Sequence, residues 1–404
     1  MTAVSSSPSG ILIYAEFLSN IRQVSIAVNL TSPSNADTAA EVTQGGTAFR
    51  VQHGGLTREV LLPERVAVAS TVPVAPSTES LSWRLPISSR LPSESLFSLE
   101  NQALPWTATD LRPGSSVACR ACGNIFVQNG KISQWKDLPS ENWAEMMEFW
   151  HCHKPHDHDH GHTNGDAEEA DLTKRGYGAS NAISAQETVG FVDITSFMFT
   201  ESDCDGILFS STTSGGQQHD ASAPGIGDST KFLNVSCKKC NAQVGFYSIV
   251  ASSVSLFKWQ VATETASTQA MPSTEQCLAA TLTATISRSG CSKSVILPQK
   301  LEAGSEAGGQ RALHLWALNP NVTYTTSQME GKREAMKILY QCIDIDKAEK
   351  MAESMTSDVQ DISFPEAVIA TALEALESSN SCLPMKERTF REWKVGLLSR
   401  WSVK

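Results

Sequence analysis

The segment Val117-Ala-Cys-Arg-Ala-Cys-Gly123 has a near copy at Val235-Ser-Cys-Lys-Lys-Cys-Asn241. Each copy places a Cys-x-x-Cys turn after an apolar residue and a small one, and before a segment typical of a strand. Such a turn supplies two sulfur ligands from one tight loop, and a tetrahedral Zn²⁺ needs four ligands. The two turns therefore predict one structural zinc site that joins two β segments far apart in the chain.

The predicted zinc ligands are Cys119, Cys122, Cys237 and Cys240. Four thiolates around one Zn²⁺ leave a net negative charge, which the neighbouring side chains of Arg120, Lys238 and Lys239 would partly offset. A redox-active pair and unrelated buried thiols are the alternatives. Zinc is favoured over a redox pair because redox motifs of this spacing sit at helix N-termini, whereas both pairs here precede strand-like segments.

Strand patterns dominate the chain on both sides of these turns. Apolar residues alternate with small or polar ones over residues 24–30, and residues 49–51 and 60–62 flank a Gly54-Gly55 reversal. The run 81–85 meets Pro86, which indicates a strand end or a sheet edge. Further strands are predicted over residues 278–286, 313–318 and 336–342. The pattern as a whole favours antiparallel β structure.

Turn and capping signals locate a hairpin and three helices. Asn129-Gly130 predicts a tight hairpin between residues 125–128 and 131–135. A stripe of Trp143, Met147 and Trp150 predicts a helix. Capping boxes at residues 363–366 and 389–392 predict two helices at the C-terminal end. The predicted fold class is α+β, predominantly antiparallel β, with a structural zinc site and a C-terminal helical segment.

The length of 404 residues allows two or three compact units. We expect an N-terminal β domain over residues 1–118, a zinc-knuckle β region over 119–262 and a C-terminal α+β region over 276–404. Residues 156–185 are rich in His, Asp, Gly and Glu with almost no apolar side chains. Because such a segment cannot offset its ordering entropy, it is predicted to be a mobile insert.

Charge and targeting signals exclude some partners and compartments. The chain has 32 Lys and Arg against 43 Asp and Glu, a net charge of −11, which disfavours direct binding to nucleic acid. The first residues lack an export signal and no apolar run is long enough to cross a bilayer, so we expect a protein of the cytoplasm or nucleus that binds no membrane. The ten cysteines then indicate thiol or metal chemistry rather than disulfides.

Two cysteines are candidate nucleophiles. Cys152 lies between His151 and His153, and a neighbouring imidazole can take the thiol proton or stabilise the thiolate. Six of the nine histidines fall within residues 151–162, and those from 156 onward are typical of a solvated loop that picks up metal adventitiously. Cys382, expected on an exposed loop between the two C-terminal helices, is the second candidate. The remaining cysteines outside the zinc site are expected to be packing residues.

The order of these motifs resembles the HECT-like family that binds ubiquitin-conjugating enzymes. The segments that carry the resemblance are Cys119-x-x-Cys122, Leu138-Pro-Ser-Glu-Asn-Trp143, Trp150-His-Cys-His153, Val189-Gly-Phe191, Cys237-x-x-Cys240 and Arg388-Thr-Phe-Arg-Glu-Trp-Lys-Val-Gly-Leu-Leu398. The resemblance implies ubiquitin transfer through a cysteine thioester, with the ubiquitin-conjugating enzyme and ubiquitin as partners. It points to Cys152, because residues 150–153 match the family's proposed thioester region.

HECT ligases carry their cysteine in a Thr-Cys-Phe-Asn loop, of which Ser381-Cys-Leu-Pro384 keeps only the cysteine and a nearby Leu-Pro. The family's fungal members are also linked to mRNA 3′-end processing through the cleavage and polyadenylation endonuclease. Two hypotheses therefore stand. The protein is a thioester-forming ubiquitin ligase, or it is a non-catalytic, zinc-stabilised binding protein or chaperone for that endonuclease.

Overall fold

The computed structural model describes residues 10–67, 71–88, 103–138, 184–210, 232–266, 270–299, 311–354 and 358–402. Strands, mostly in antiparallel pairing, are the commonest secondary structure among these residues, and three α-helices are found among them. The predicted fold class is confirmed. The described residues form two compact units, one from the ranges 1–103, 274–299 and 307–402 and the other from 104–273.

The elements have the following bounds. The strands are β1 (Leu12–Leu18), β2 (Gln23–Asn29), β3 (Ala39–Thr43), β4 (Ala48–His53), β5 (Leu56–Leu61), β6 (Thr71–Val72), β7 (Ser80–Pro86), β8 (Val117–Cys119), β9 (Ile125–Val127), β10 (Gln134–Asp137), β11 (Val189–Val192), β12 (Ser196–Thr200), β13 (Ile207–Ser210), β14 (Phe232–Cys237), β15 (Gln243–Ser248), β16 (Ser253–Phe257), β17 (Val261–Thr263), β18 (Lys293–Pro298), β19 (Arg311–Thr326), β20 (Met329–Asp344), β21 (Val359–Phe364), β22 (Thr389–Phe390) and β23 (Trp393–Ser399). The helices are α1 (Thr274–Ser289), α2 (Ile345–Glu353) and α3 (Glu366–Ser381).

A nine-stranded sheet dominates the first unit, with the order β22-β23-β20-β19-β1-β2-β7. β18 pairs with β19 and, in parallel, with β21. A second sheet has the order β5-β4-β3-β6. Alternate residues of β1 and β2, such as Ile13 and Val24, share a buried cluster with Phe49 of β4. The strands expected over residues 24–30, 49–51, 60–62 and 81–85 are confirmed, with β7 at a sheet edge as Pro86 indicated.

Antiparallel pairing of β1 with β19 places the N-terminal and C-terminal parts of the chain in one sheet. A buried ion pair spans the same sheet: the Lys337 ammonium on β20 lies 2.9 and 3.0 Å from the two carboxylate oxygens of Glu16 on β1. The Tyr14 hydroxyl donates to the same carboxylate at 2.7 Å, so both of its oxygens are partnered. The division into three regions, 1–118, 119–262 and 276–404, stays a prediction.

The helix predicted after the first capping box is confirmed as α3, but the helix predicted after the second is wrong. Residues 393–399 form the strand β23, paired with β20. Trp393, Val395 and Leu397 lie in one buried cluster, while Gly396 lies against Leu376 of α3. The apolar spacing of four that suggested a helix is also a multiple of the strand period of two.

The strand predicted over residues 278–286 is also wrong, because this segment lies in α1. Threonine is common in strands, but here the Thr281 and Thr283 hydroxyls donate to the carbonyls four residues earlier, at 3.1 and 2.9 Å. These bonds let hydroxyl side chains lie inside a helix. A short apolar run without clear alternation does not separate a buried strand from a buried helix.

The second unit contains a seven-stranded sheet, β10-β11-β12-β16-β15-β14-β13, and a three-stranded sheet, β17-β8-β9. The hairpin predicted around Asn129-Gly130 is wrong in its pairing. β9 pairs with β8, whereas β10 pairs in parallel with β11 in the other sheet. Gly130 takes a positive φ of 79° but Asn129 does not, so the type I′ turn that the pair predicted is not formed. A turn fixes a local reversal of the chain and leaves the choice of strand partner open.

Some predicted segments lie outside the described residues. These are the helix around Trp143, Met147 and Trp150, and the His-rich insert except for residues 184 and 185. Among the helices that the structure describes, none combines the length and the apolar character that crossing a bilayer requires.

Aromatic packing in the second unit depends on one glycine. A Cβ added at Gly190 would lie 2.4 Å from the ring of Trp135, which itself packs on Phe197 and Phe199. We expect Gly190→Ala to destabilise the protein by about 1–3 kcal/mol, because the buried ring cannot move aside. Gly10→Ala is the control, since its Cβ would approach only an Arg58 side chain, at 3.8 Å. Thermal unfolding measures both, and equal melting temperatures would contradict the packing argument.

Candidate metal centre

The two Cys-x-x-Cys segments fold into the same turn. In each turn, the backbone amide of the first cysteine donates to the carbonyl of the residue five positions later. The backbone carbonyl of the same cysteine accepts from the amide of the residue four positions later. The bonds are Cys119 N to Asn124 O (2.7 Å), Gly123 N to Cys119 O (2.9 Å), Cys237 N to Ala242 O (2.9 Å) and Asn241 N to Cys237 O (2.9 Å). The residue after each pair has a positive φ, 70° at Gly123 and 57° at Asn241. Gly and Asn tolerate this conformation best, which explains why they stand there.

The structure brings the four predicted ligands together. The Sγ atoms of Cys119 and Cys240 lie 3.7 Å apart, those of Cys122 and Cys237 lie 3.6 Å apart, and all four are within 4.8 Å of one another. Zinc–sulfur bonds are about 2.3 Å, so the edges of a regular zinc–thiolate tetrahedron are about 3.8 Å. The four cysteines could therefore hold a metal ion, and the size of the cluster suits zinc.

Burial and backbone amides give the sulfurs different proton affinities. Cys119 and Cys237 are buried, whereas Cys240 is exposed. Burial raises the pKa of Cys119 to about 12. Burial also acts to raise the pKa of Cys237, but the backbone amides of Cys240 and Lys239 outweigh it and lower the value to about 6. Because neighbouring thiols titrate together, the metal-free cluster carries both thiolate and thiol at neutral pH, and a metal must displace the remaining protons.

Asn124 is a residue of the centre that the sequence analysis missed. Its side-chain amide donates to the Cys237 sulfur at 3.5 Å and to the Gly206 carbonyl at 2.9 Å. Gly206 has a φ of 64°, and a Cβ there would lie 2.6 Å from the Asn124 side chain. The asparagine follows Cys-x-x-Cys-Gly directly in the sequence, but one asparagine beside a turn is too common a feature to identify a partner of a sulfur ligand.

The three neighbouring cations differ in what they contact. Arg120 Nη1 donates to the carbonyls of Trp259 (3.1 Å) and Pro272 (2.7 Å), so this side chain connects the first cysteine turn to the turn between β16 and β17 and to the segment before α1. Lys239 Nζ donates to the carbonyl of Cys122 at 3.4 Å, which ties the second turn to the first. Lys238 is exposed. Besides the charge compensation expected from the sequence, Arg120 thus has a structural role that its position in the sequence did not reveal.

The candidate nucleophile Cys152 and its neighbours His151 and His153 lie outside the described residues. Cys382 follows α3, and its thiol is 9% exposed and donates to the carbonyl of Ser378 at 3.6 Å. The expectation of an exposed loop between two helices was wrong there, because the next segment is the β22–β23 hairpin. A role for either cysteine in ubiquitin transfer stays a prediction.

The cysteines expected to serve as packing residues differ in exposure. Cys277 is fully buried in α1, as expected. Cys342 is exposed on β20, so for this residue the expectation was wrong. Met336, Ile338 and Tyr340, which precede Cys342 at alternate positions of the strand, are buried, so burial on that side of β20 ends before Cys342.

Comparison of the sequence with known families gives a match over residues 16–395, which includes all four clustered cysteines. The matching family is described as HECT-like ubiquitin-conjugating enzyme (E2)-binding. The chain belongs to this HECT-like E2-binding family. The resemblance found in the sequence motifs is confirmed, and membership supports binding of a ubiquitin-conjugating enzyme.

Two fungal relatives of the chain are uncharacterized proteins. One, from Saccharomyces cerevisiae, is 23% identical over 84% of this chain and 86% of its own length. The other, from Schizosaccharomyces pombe, is 43% identical over 12% of this chain and 15% of its own length. No solved structure matches the chain.

Loss of one sulfur ligand should release the metal. We expect Cys237→Ser to abolish stoichiometric zinc and to lower the melting temperature strongly, because ligand binding energy in such sites is folding energy. Cys342→Ser is the control, since this exposed cysteine lies outside the cluster. Elemental analysis and thermal unfolding report the two effects. Purified wild-type protein without zinc would contradict the assignment.

Metal affinity should depend on pH with a defined sign. The pKa of Cys119 is raised to about 12, so this thiol is protonated in the metal-free protein at neutral pH and loses its proton on binding. The apparent zinc affinity should therefore rise by about tenfold or more per pH unit between pH 6.5 and 8.5. Titration calorimetry in buffers of different ionisation enthalpy counts the protons released. Release of no proton would show that the cluster is already fully ionised.

Proposed function

We propose that this protein binds a ubiquitin-conjugating enzyme and accepts ubiquitin from it as a thioester on Cys152. The observation that carries the proposal is the match to the HECT-like E2-binding family over residues 16–395. Because the match spans nearly the whole chain, the two units and the metal centre belong to the E2-binding protein as a whole rather than to an appended domain.

The proposed transfer is a thioester exchange. The Cys152 thiolate attacks the C-terminal carbonyl carbon of ubiquitin, and the thiolate of the conjugating enzyme leaves. His151 and His153 are the adjacent groups that accept the Cys152 proton. A substrate lysine amine then attacks the new thioester, and Cys152 leaves as a thiolate. Cys382 suits this role less well. Its thiol is buried and hydrogen-bonded to a backbone carbonyl, so the thioester of another protein cannot reach it.

The metal in this proposal is a structural zinc ion. Four sulfur ligands saturate a tetrahedral ion and leave no open position for water or substrate, which is the arrangement of structural rather than catalytic zinc sites. Cys119, Cys122, Cys237 and Cys240 would hold it. The ion supplies cross-linking of the two turns, and Asn124 would donate a hydrogen bond to one of its ligands.

The second candidate function is non-catalytic. Here the protein is a zinc-stabilised binding protein or chaperone for the cleavage and polyadenylation endonuclease, as the resemblance to fungal members suggests, and it acts in the nucleus or cytoplasm. The closed four-sulfur cluster favours it, because such a centre stabilises a binding scaffold and offers no reactive position.

A thioester assay separates the two functions. Charged ubiquitin-conjugating enzymes from a purified panel are mixed with wild type, Cys152→Ala or Cys382→Ala, and a non-reducing gel shows any ubiquitin adduct. We expect a reductant-sensitive adduct on wild type and Cys382→Ala that is absent from Cys152→Ala. Loss of the adduct only in Cys382→Ala would reverse the assignment. Binding of an enzyme without any adduct would favour the non-catalytic function, and no binding to any enzyme would refute the E2-binding proposal.

A further inference from the structure

The strand β13 forms one edge of the seven-stranded sheet in the second unit. Within the described residues it pairs with β14 alone, from Ile207 opposite Cys237 to Ser210 opposite Asn234. In an antiparallel pair every second residue points its amide and carbonyl away from its partner. The outer side of β13 therefore offers hydrogen-bonding groups in the geometry of a strand.

β13 differs from the other edge strands of four or more residues in the described ranges because it carries no charged side chain. Its sequence, Ile207-Leu-Phe-Ser210, has no charged residue, Pro or Gly. The other edge strands of four or more residues in the described ranges all carry charge: Arg58 and Glu59 in β5, Arg84 in β7, Lys136 and Asp137 in β10, and Asp361 in β21. Charged side chains on edges prevent unwanted pairing between sheets. β13 has no charged side chain of this kind, so its side chains do not oppose pairing.

Both faces of the edge are apolar and accessible to solvent. Leu208 is 43% exposed and Phe209 is 37% exposed, and as neighbours in a strand they point to opposite faces of the sheet. Phe209 packs edge-on against Tyr247 at 5.1 Å between ring centres, which holds its side chain in place. Ile249 and Val250, in the turn between β15 and β16, are also exposed apolar residues of this sheet.

The metal centre fixes one end of this strand. The carbonyl of Gly206 accepts from Lys238 N in the second turn and from the Asn124 side chain in the first, both at 2.9 Å. The amide of Asp205 donates to the carbonyl of Phe126 at 2.7 Å. β13 is thus held in an extended form before any partner arrives, which reduces the entropy cost of binding.

We propose that β13 is a docking edge for an extended, uncharged, apolar segment of a partner protein, which adds to the sheet as a further strand. The free backbone groups select an extended segment, and Leu208 and Phe209 select apolar side chains on both of its faces. A second copy of this chain is a poor occupant. Pairing along a four-residue strand buries on the order of a few hundred Å², which suits weak, transient docking of a partner segment, whereas a stable dimer of this chain would need about 1,200–2,000 Å².

The chain's own connection is also a poor occupant of the edge. Residues 211–231, which follow β13 directly, contain one large apolar residue, Ile226. Such a sequence supplies no alternating apolar strand. The proposed surface is distinct from the thioester function above, so either can fail without the other.

The test uses a phage-displayed library of random dodecapeptides selected on the full-length, metal-loaded protein. We expect enrichment of uncharged peptides rich in β-branched and aromatic residues. Leu208→Lys should weaken the binding of a selected synthetic peptide by tenfold or more, and the melting temperature of the protein should not change. Leu56→Lys is the matched control, because Leu56 is a leucine of similar exposure, 48%, on the charged edge strand β5.

N-methylation of the selected peptide tests strand pairing directly. Methyl groups on one alternate set of its amides should abolish binding, whereas those on the other set should leave it intact. The proposal is overturned if no peptide is enriched, if Leu208→Lys binds as well as wild type, or if no N-methyl group matters. It is also overturned if Leu208→Lys abolishes self-association of the chain, or if the outward amides of β13 already exchange slowly in the free protein.

Discussion

Convergence of four sulfur atoms at one point is the constraint on which the second unit depends. The closest sulfur pairs join residues that are 121 and 115 positions apart in the chain. Closing a flexible loop of that length costs about 4 kcal/mol of chain entropy. Binding of a structural zinc ion contributes about 10–16 kcal/mol at neutral pH. A zinc ion bound to the four cysteines would therefore contribute much more free energy than joining the turns costs, and the hydrogen bond of Asn124 to Cys237 would add to the same geometry.

The first unit is organised by a different constraint, the pairing of β1 with β19 in the middle of one sheet. The buried ion pair of Lys337 and Glu16 reinforces this pairing, because separating the two charges would leave each of them buried without a counterion, at a high cost in free energy. A slip of β1 along β19 would separate them and would also turn its apolar side chains to the opposite face. The ion pair thus adds specificity of register to a sheet whose stability comes from apolar packing.

The cysteine cluster could be predicted from the sequence because each of its two turns is a local feature. Each turn needs a fixed spacing of cysteines and a residue that tolerates positive φ, and Gly123 and Asn241 supply it. The strand at 393–399 could not be predicted, since Trp393 and Leu397 fit both a helix and a strand, and only the ladder with β20 decides between them. Asn129-Gly130 likewise fixed a turn but not the partners of β9 and β10. Contacts such as Asn124 with Gly206 depend on the assembled fold and have no local signature.

The separation of the two turns also has a consequence during synthesis. The first cysteine pair leaves the ribosome more than a hundred residues before Cys240 completes the set, which at ordinary translation rates is a delay on the order of 10 s. During that interval the nascent chain carries a two-thiol half-site that can bind stray copper or oxidise. Loading of the proposed zinc site would therefore be favoured where a reducing environment protects the first pair until the second emerges.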